Sequence, residues 1–141
     1  MIPDDSKAET AVRKVLDTYA DAVLRGDAET LKHLFHPAAV MNGYLGDKLL
    51  VGTPEPFLAD IGGHPPMAES GVPFKTEWTA VHVSGRTATA TLEENGFFGS
   101  GHFVNYFHLL LDGGEWRIVS KTFESLPEES YALCEQSPET R

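Results

Sequence analysis

Apolar residues recur every three or four positions over residues 6–25. Ala8, Ala11, Val12, Val15, Leu16, Tyr19 and Val23 share one face of a predicted helix. Ser6 followed by Glu9 has the form of a capping box, and Gly26 stands just past the end. A shorter helix follows, with Asp27 as its cap, Leu31, Leu34 and Phe35 as its apolar side, and Pro37 as its stop. Residues 38–44 and 48–51 read as two short strands around Leu45-Gly46-Asp47. Thr53 is placed to cap a third helix with Pro54 at its first position. Phe57, Leu58 and Ile61 form its buried side, and Gly62-Gly63 end it. Residues 62–73 are rich in Gly and Pro and read as a loop, a lid or rim rather than a linker.

From residue 74 the period changes to two. Strands over 74–84 and 87–94 flank Gly85-Arg86, and strands over 102–111 and 115–123 flank Asp112-Gly113-Gly114; both pairs read as hairpins. Helices come first, interrupted by one small hairpin, and a four-strand antiparallel run follows. This segregation predicts an α+β fold. The helices can bury their apolar faces only against one side of a curved sheet, which leaves a cone with one open end. The expected organisation is a single domain over 1–126 and an acidic tail over 127–141, with Tyr131 and Leu133 as its docking residues.

The chain has 141 residues, enough for one core, and a formal net charge of −10. That charge argues against nucleic acid or an anionic membrane surface as a partner, since both attract a positive field. No apolar run reaches membrane-spanning length, and the opening residues lack the pattern of a signal peptide. Cys134 is the only cysteine, so no internal disulfide is expected. A cytoplasmic protein is the resulting expectation.

Three stretches carry a resemblance to a known superfamily. They are Tyr19-Ala20-Asp21-Ala22-Val23-Leu24-Arg25-Gly26-Asp27, Leu34-Phe35-His36-Pro37-Ala38-Ala39-Val40, and the closing hairpin from Tyr106 to Phe123 with Asp112-Gly113-Gly114-Glu115-Trp116 at its turn. Together they resemble the nuclear transport factor 2-like superfamily, the fold of ketosteroid isomerase, scytalone dehydratase and the small polyketide cyclases. Within it they look most like the lumazine-binding-type subgroup. The resemblance spans roughly residues 8–126. It implies a cone-shaped curved antiparallel sheet wrapped around three helices, and it says little about chemistry, because one fold hosts many functions.

The resemblance places Tyr19, eight residues before Asp27, where ketosteroid isomerase has its oxyanion-stabilising tyrosine; the alternative is a tyrosine of the helix core. The isomerase's aspartate base would fall near Gly43, among Met41, Asn42 and Tyr44, and none of these is a carboxylate. Asn105 falls where the isomerase has its second acid. In period two it shares a face with Phe103, Phe107 and Leu109, as a polar group orienting a ligand or as a core asparagine bonded to backbone. His36 either caps the end of the second helix or reaches the cone as an acid or base. Its spacing from His33 fits two metal ligands, and two are too few for a site. Lys121 either faces solvent or points inward to bind an anionic group or act as a base, depending on where the last strand bulges.

The candidates are therefore Tyr19, Asn105 and His36 for catalysis, and Met41, Tyr44, Phe57, Ile61, Trp78, Phe107 and Lys121 for lining a pocket. No metal or cofactor is expected. Three functions stay open: a cofactor-independent isomerase, dehydratase or cyclase acting on an apolar carbonyl compound; a module that binds a small, flat ligand without chemistry; and an assembly protein with a filled cone. A homodimer through the outer sheet face is expected, with Val104, Tyr106 and His108 on that face if Asn105 points inward.

Overall fold

A computed structural model describes residues 6–71, 73–98 and 101–127. Its helices are α1 (Ser6–Arg25), α2 (Ala28–Leu34) and α3 (Glu55–Gly63). Its strands are β1 (Phe35–Leu45), β2 (Lys48–Gly52), β3 (Lys75–Ser84), β4 (Thr87–Phe97), β5 (Gly101–Asp112) and β6 (Glu115–Leu126), and a single 3₁₀ turn spans Met67–Glu69. The expected tail lies almost wholly outside the described residues, as do Tyr131, Leu133 and Cys134.

The α1 stripe buries Val12, Leu16, Tyr19, Ala22 and Val23. The helix ends where Gly26 takes a left-handed φ of +71°. Gly26 N–H then bonds Val23 O, and Asp27 N–H bonds Ala22 O, a Schellman closure. Asp27 at once caps α2, its carboxylate accepting from the Thr30 amide at 3.1 Å and the Thr30 hydroxyl at 2.7 Å. These two bonds, the hydroxyl's the larger influence, hold the Asp27 carboxyl below the ordinary range.

The first strand begins earlier than the periodicity suggests. Phe35 ends α2, its N–H bonded to Leu31 O, and already belongs to β1. His36 is therefore a strand residue and caps no helix. Pro37 sits where the β1–β6 pairing is interrupted, between Phe35 and Val40, so its missing N–H breaks no regular ladder. At α3 the cap position is Pro54, one residue later than expected, and the Thr53 hydroxyl accepts from Glu55 N–H at 3.3 Å.

The six strands form one unclosed, curved sheet in the order β2-β1-β6-β5-β4-β3. All neighbours are antiparallel except β1 and β6, which run parallel. The β5–β6 turn has Gly113 and Gly114 both at positive φ, the form that lets two residues reverse a twisted hairpin. The helices cover one face of the sheet, and the core lies between them.

The β5–β6 register decides the site. Leu109 pairs with Ile118, but His108 pairs with Ser120, so Val119 is an extra residue. Before this bulge Trp116 and Ile118 point into the core; after it Lys121 and Phe123 do. A strand without the bulge would turn Lys121 outward, since side chains alternate strictly.

Candidate functional site

The inner sheet face, the β1–β2 hairpin and α3 line a cavity of about 230 Å³ that is open on one side. Leu45, Leu50, Val51, Gly52, Thr53, Pro56 and Asp60 come from the β1–β2 hairpin and the start of α3. Met41, Phe57, Phe97, Phe103 and Phe123 make much of the remaining wall apolar. Besides Thr53 and Asp60, both exposed, three buried polar side chains complete it: Glu94, Asn105 and Lys121.

These three arise from three adjacent strands. Cross-strand pairing sets Asn105 beside Phe123 and Leu92, and Lys121 beside Phe107 and Met41. Glu94 lies two residues along β4 from Leu92, diagonal to Asn105. The Asn105 amide nitrogen donates to Glu94 Oε1 at 2.9 Å and to Leu92 O at 3.2 Å. Its two amide protons are thereby both committed, one to the carboxylate and one to the β4 backbone. Lys121 Nζ donates to Tyr19 Oη at 2.8 Å and stands 3.9 Å from the Phe57 ring centroid. The rings of Tyr19, Phe107 and Phe123 lie within 6 Å of the same nitrogen.

Burial shifts each titrating group toward neutrality. It lowers the Lys121 ammonium to about 8, against the opposing pull of Glu94. It raises the Glu94 carboxyl, with the charge of Lys121 and the Asn105 hydrogen bond pulling back. It raises the Tyr19 hydroxyl well above the ordinary phenol, and the charge of Glu94 adds to the rise. Glu94 and Lys121 form no direct ion pair; the four bridges among the described residues lie elsewhere. A carboxyl and an amine thus line one apolar cavity, each held by a neutral partner, with no contact between them.

The other candidates are distributed as follows. Met41 and Phe57 line the cavity. Tyr19 is fully buried behind the lining, ringed by Phe35, Phe57, Trp78 and Phe107. Its hydroxyl meets Lys121, and the phenol does not reach the cavity wall. Ile61 and Phe107 are likewise core residues behind the wall. Trp78 borders a separate cleft of about 60 Å³ with Arg13, Leu16, Asp17 and Val81. Tyr44 is exposed on the outer sheet face, where it pairs with Glu124. His36 is away from the cavity: its Nε2 meets Asp112 Oδ2 at 2.9 Å, and its Nδ1 accepts from Ala38 N–H. The described residues of the loop expected to form a lid or rim contribute nothing to the lining; Met67 Sδ accepts from Phe98 N–H instead.

Glu94 is the residue that reading for motifs missed. Its signal was present in the alternation: Ala88, Ala90, Leu92 and Glu94 occupy one phase of β4, and all four are buried. The expected base position at Gly43 is closed for a steric reason. A Cβ there would stand 2.2 Å from Phe123 O and 2.6 Å from its ring.

A family model described as "Putative lumazine-binding" matches residues 7–124. The chain belongs to this family, within the nuclear transport factor 2-like superfamily. Nuclear transport factor 2-like proteins of known structure agree. One of unknown function from Silicibacter pomeroyi is 25% identical, with a TM-score of 0.76, over 88% of this chain and 100% of that one. Another, from Methylobacillus flagellatus, is also 25% identical, with a TM-score of 0.79, over 89% and 98%. A structure from Streptomyces avermitilis described as a "putative dehydratase" is 23% identical, with a TM-score of 0.63, over 88% and 99%; at that identity it attests the fold alone. No curated protein sequence matches the chain.

Proposed function

We propose that this nuclear transport factor 2-like chain takes an apolar, carbonyl-bearing small molecule into its cavity and moves a proton on it without a cofactor, as an isomerase, dehydratase or cyclase. The observation that carries this reading is Glu94, a buried carboxylate on the wall of an otherwise largely apolar cavity, held by Asn105. Raising a carboxyl above its ordinary range brings it toward the value a general base needs near neutrality. Lys121 supplies the complementary group, a donor for the carbonyl oxygen. The substrate's apolar body fits against Met41, Phe97, Phe103 and Phe123.

Deuterium uptake at the α-carbon of cyclohexanone in heavy water, followed by NMR, tests the reaction type. Uptake above the buffer rate is expected, falling by about 10²-fold or more in Glu94→Gln. Uptake equal to buffer alone would leave no catalysis to explain.

A second reading is a binding module without chemistry. It is favoured by the position of Tyr19, whose phenol stands behind the wall and so gives no direct oxyanion contact. The family description points the same reading toward a flat heteroaromatic ligand. A homodimer through the outer sheet face accompanies either reading.

A further inference from the structure

We propose that Lys121 is a nucleophile: its amine condenses with an aldehyde or ketone held in the cavity to form a Schiff base, with Glu94 carrying the protons. This deepens the proposed function and rests on its premise that the cavity admits carbonyl compounds.

A buried lysine kept for structure is ordinarily held as an ammonium by a carboxylate in contact with it. Lys121 has no such contact. Its one protein hydrogen bond among the described residues goes to the neutral Tyr19 hydroxyl, leaving two of three N–H donors for the cavity side. The surrounding rings of Phe57, Phe107 and Phe123 keep the amine dry. They offer only a weak substitute for water around a charge. Glu94 lines the same cavity and is close enough to act on Lys121 through its charge. Tyr19 is a positioning residue, fixing Nζ from behind.

The chemistry balances without an outside reagent. The ammonium gives up one proton and the Glu94 carboxylate takes one up, relayed by water that enters the cavity with the carbonyl compound, leaving a neutral amine and a neutral carboxylic acid. The nitrogen lone pair forms a C–N bond to the carbonyl carbon, and the C=O π pair moves onto oxygen. A proton moves from nitrogen to that oxygen, giving a carbinolamine. The Glu94 acid then protonates the hydroxyl, which leaves as water while nitrogen forms the C=N bond. The products are an iminium on Lys121, one water and the Glu94 carboxylate, with net charge unchanged. The iminium withdraws electrons from the α-carbon, where the carboxylate can then take a proton.

The test uses the whole protein with benzaldehyde and cyanoborohydride near pH 7.5, followed by peptide mass mapping. Hydride reduces the iminium to a stable benzylamine on the lysine that formed it. Lys7, Lys14, Lys32, Lys48 and Lys75 are exposed and serve as internal controls, with any α-amine scored separately. The expected result is saturable labelling of Lys121, at least about tenfold above any exposed lysine, because its free-amine fraction is far larger at that pH. Labelling is expected to be competed by benzyl alcohol, which fills the same space without a carbonyl. Glu94→Gln is expected to label the same residue more slowly. If benzyl alcohol raises the melting temperature while adducts form only on exposed lysines, the Schiff base is overturned and the pocket stands. If benzyl alcohol has no effect and Lys121 stays unmodified, both readings fall.

Discussion

A carboxyl and an amine buried in one cavity without touching each other cost the fold stability. Lys121 releases its proton near pH 8 in the folded chain and near 10.4 when unfolded. Between those values the unfolded chain binds more protons, so stability rises with pH. Glu94 has the opposite sign. Its raised folded value keeps stability fully present below the unfolded carboxyl pKa, and that part is lost as pH climbs through the folded value. Both penalties are therefore in force near neutrality. Replacing the two together, Glu94→Gln with Lys121→Met, is expected to raise unfolding free energy by about 1–3 kcal/mol in urea titrations at pH 7 while abolishing activity. The advantage over wild type should shrink from pH 8 to pH 10 as Lys121 discharges. An advantage that stays constant over that range would mean that Lys121 does not titrate there. At this scale the sequence was partly legible. Asn105 could be placed on the inner face by period two. Lys121 could not, because its direction turns on the bulge at Val119. Glu94 was passed over because a glutamate near a strand end is ordinarily a solvated residue.

Among the elements, β1 shows how closely backbone packing governs what the site can contain. Gly43 lies against Phe123 of β6, and an added methyl would meet both the backbone oxygen and the ring. Gly52, on the paired strand β2, has open space where its Cβ would stand. Gly43→Ala is expected to lower stability by about 1–3 kcal/mol through overpacking. Gly52→Ala should change it by no more than about 0.5 kcal/mol. Denaturant midpoints for the two variants check the contrast, and equal effects would mean the sheet yields at Gly43. Most elements were legible from periodicity, with Gly26, Gly85 and Gly113-Gly114 as punctuation. The beginning of β1 was not. Leu34, Phe35 and His36 continue the helical spacing, and only pairing of Phe35 with Ile118, distant in sequence, draws them into a strand. The parallel β1–β6 contact is invisible to local pattern for the same reason.

At the scale of the whole molecule, the sheet has two faces of different character, one lining the cavity and one turned away from it. Val40, Tyr44, Val104, Tyr106 and His108 occupy the face away from the cavity, since Val40, Ser120 and His108 fall in one cross-strand row and Tyr44, Glu124 and Val104 in another. Tyr106 is 52% exposed there, and Tyr44 and Val40 are exposed beside it. Light scattering after size exclusion is expected to give a dimeric mass, and Tyr106→Glu to shift it toward one subunit with the cavity intact. A single-subunit mass for the wild type would reject pairing through this face. The division between the faces has to be established as the chain folds. Zippering from the Gly113-Gly114 turn, the closing hairpin runs in one register as far as Ile118 and must there admit Val119 as an extra residue. A hairpin that continued without it would set Phe123 in water and drive Thr122 and Glu124 toward the core, where Glu124 would be a charge without a partner. The register is thus selected by two penalties at once, a phenylalanine exposed and a glutamate buried, and the same extra residue that avoids both delivers an amine into the interior.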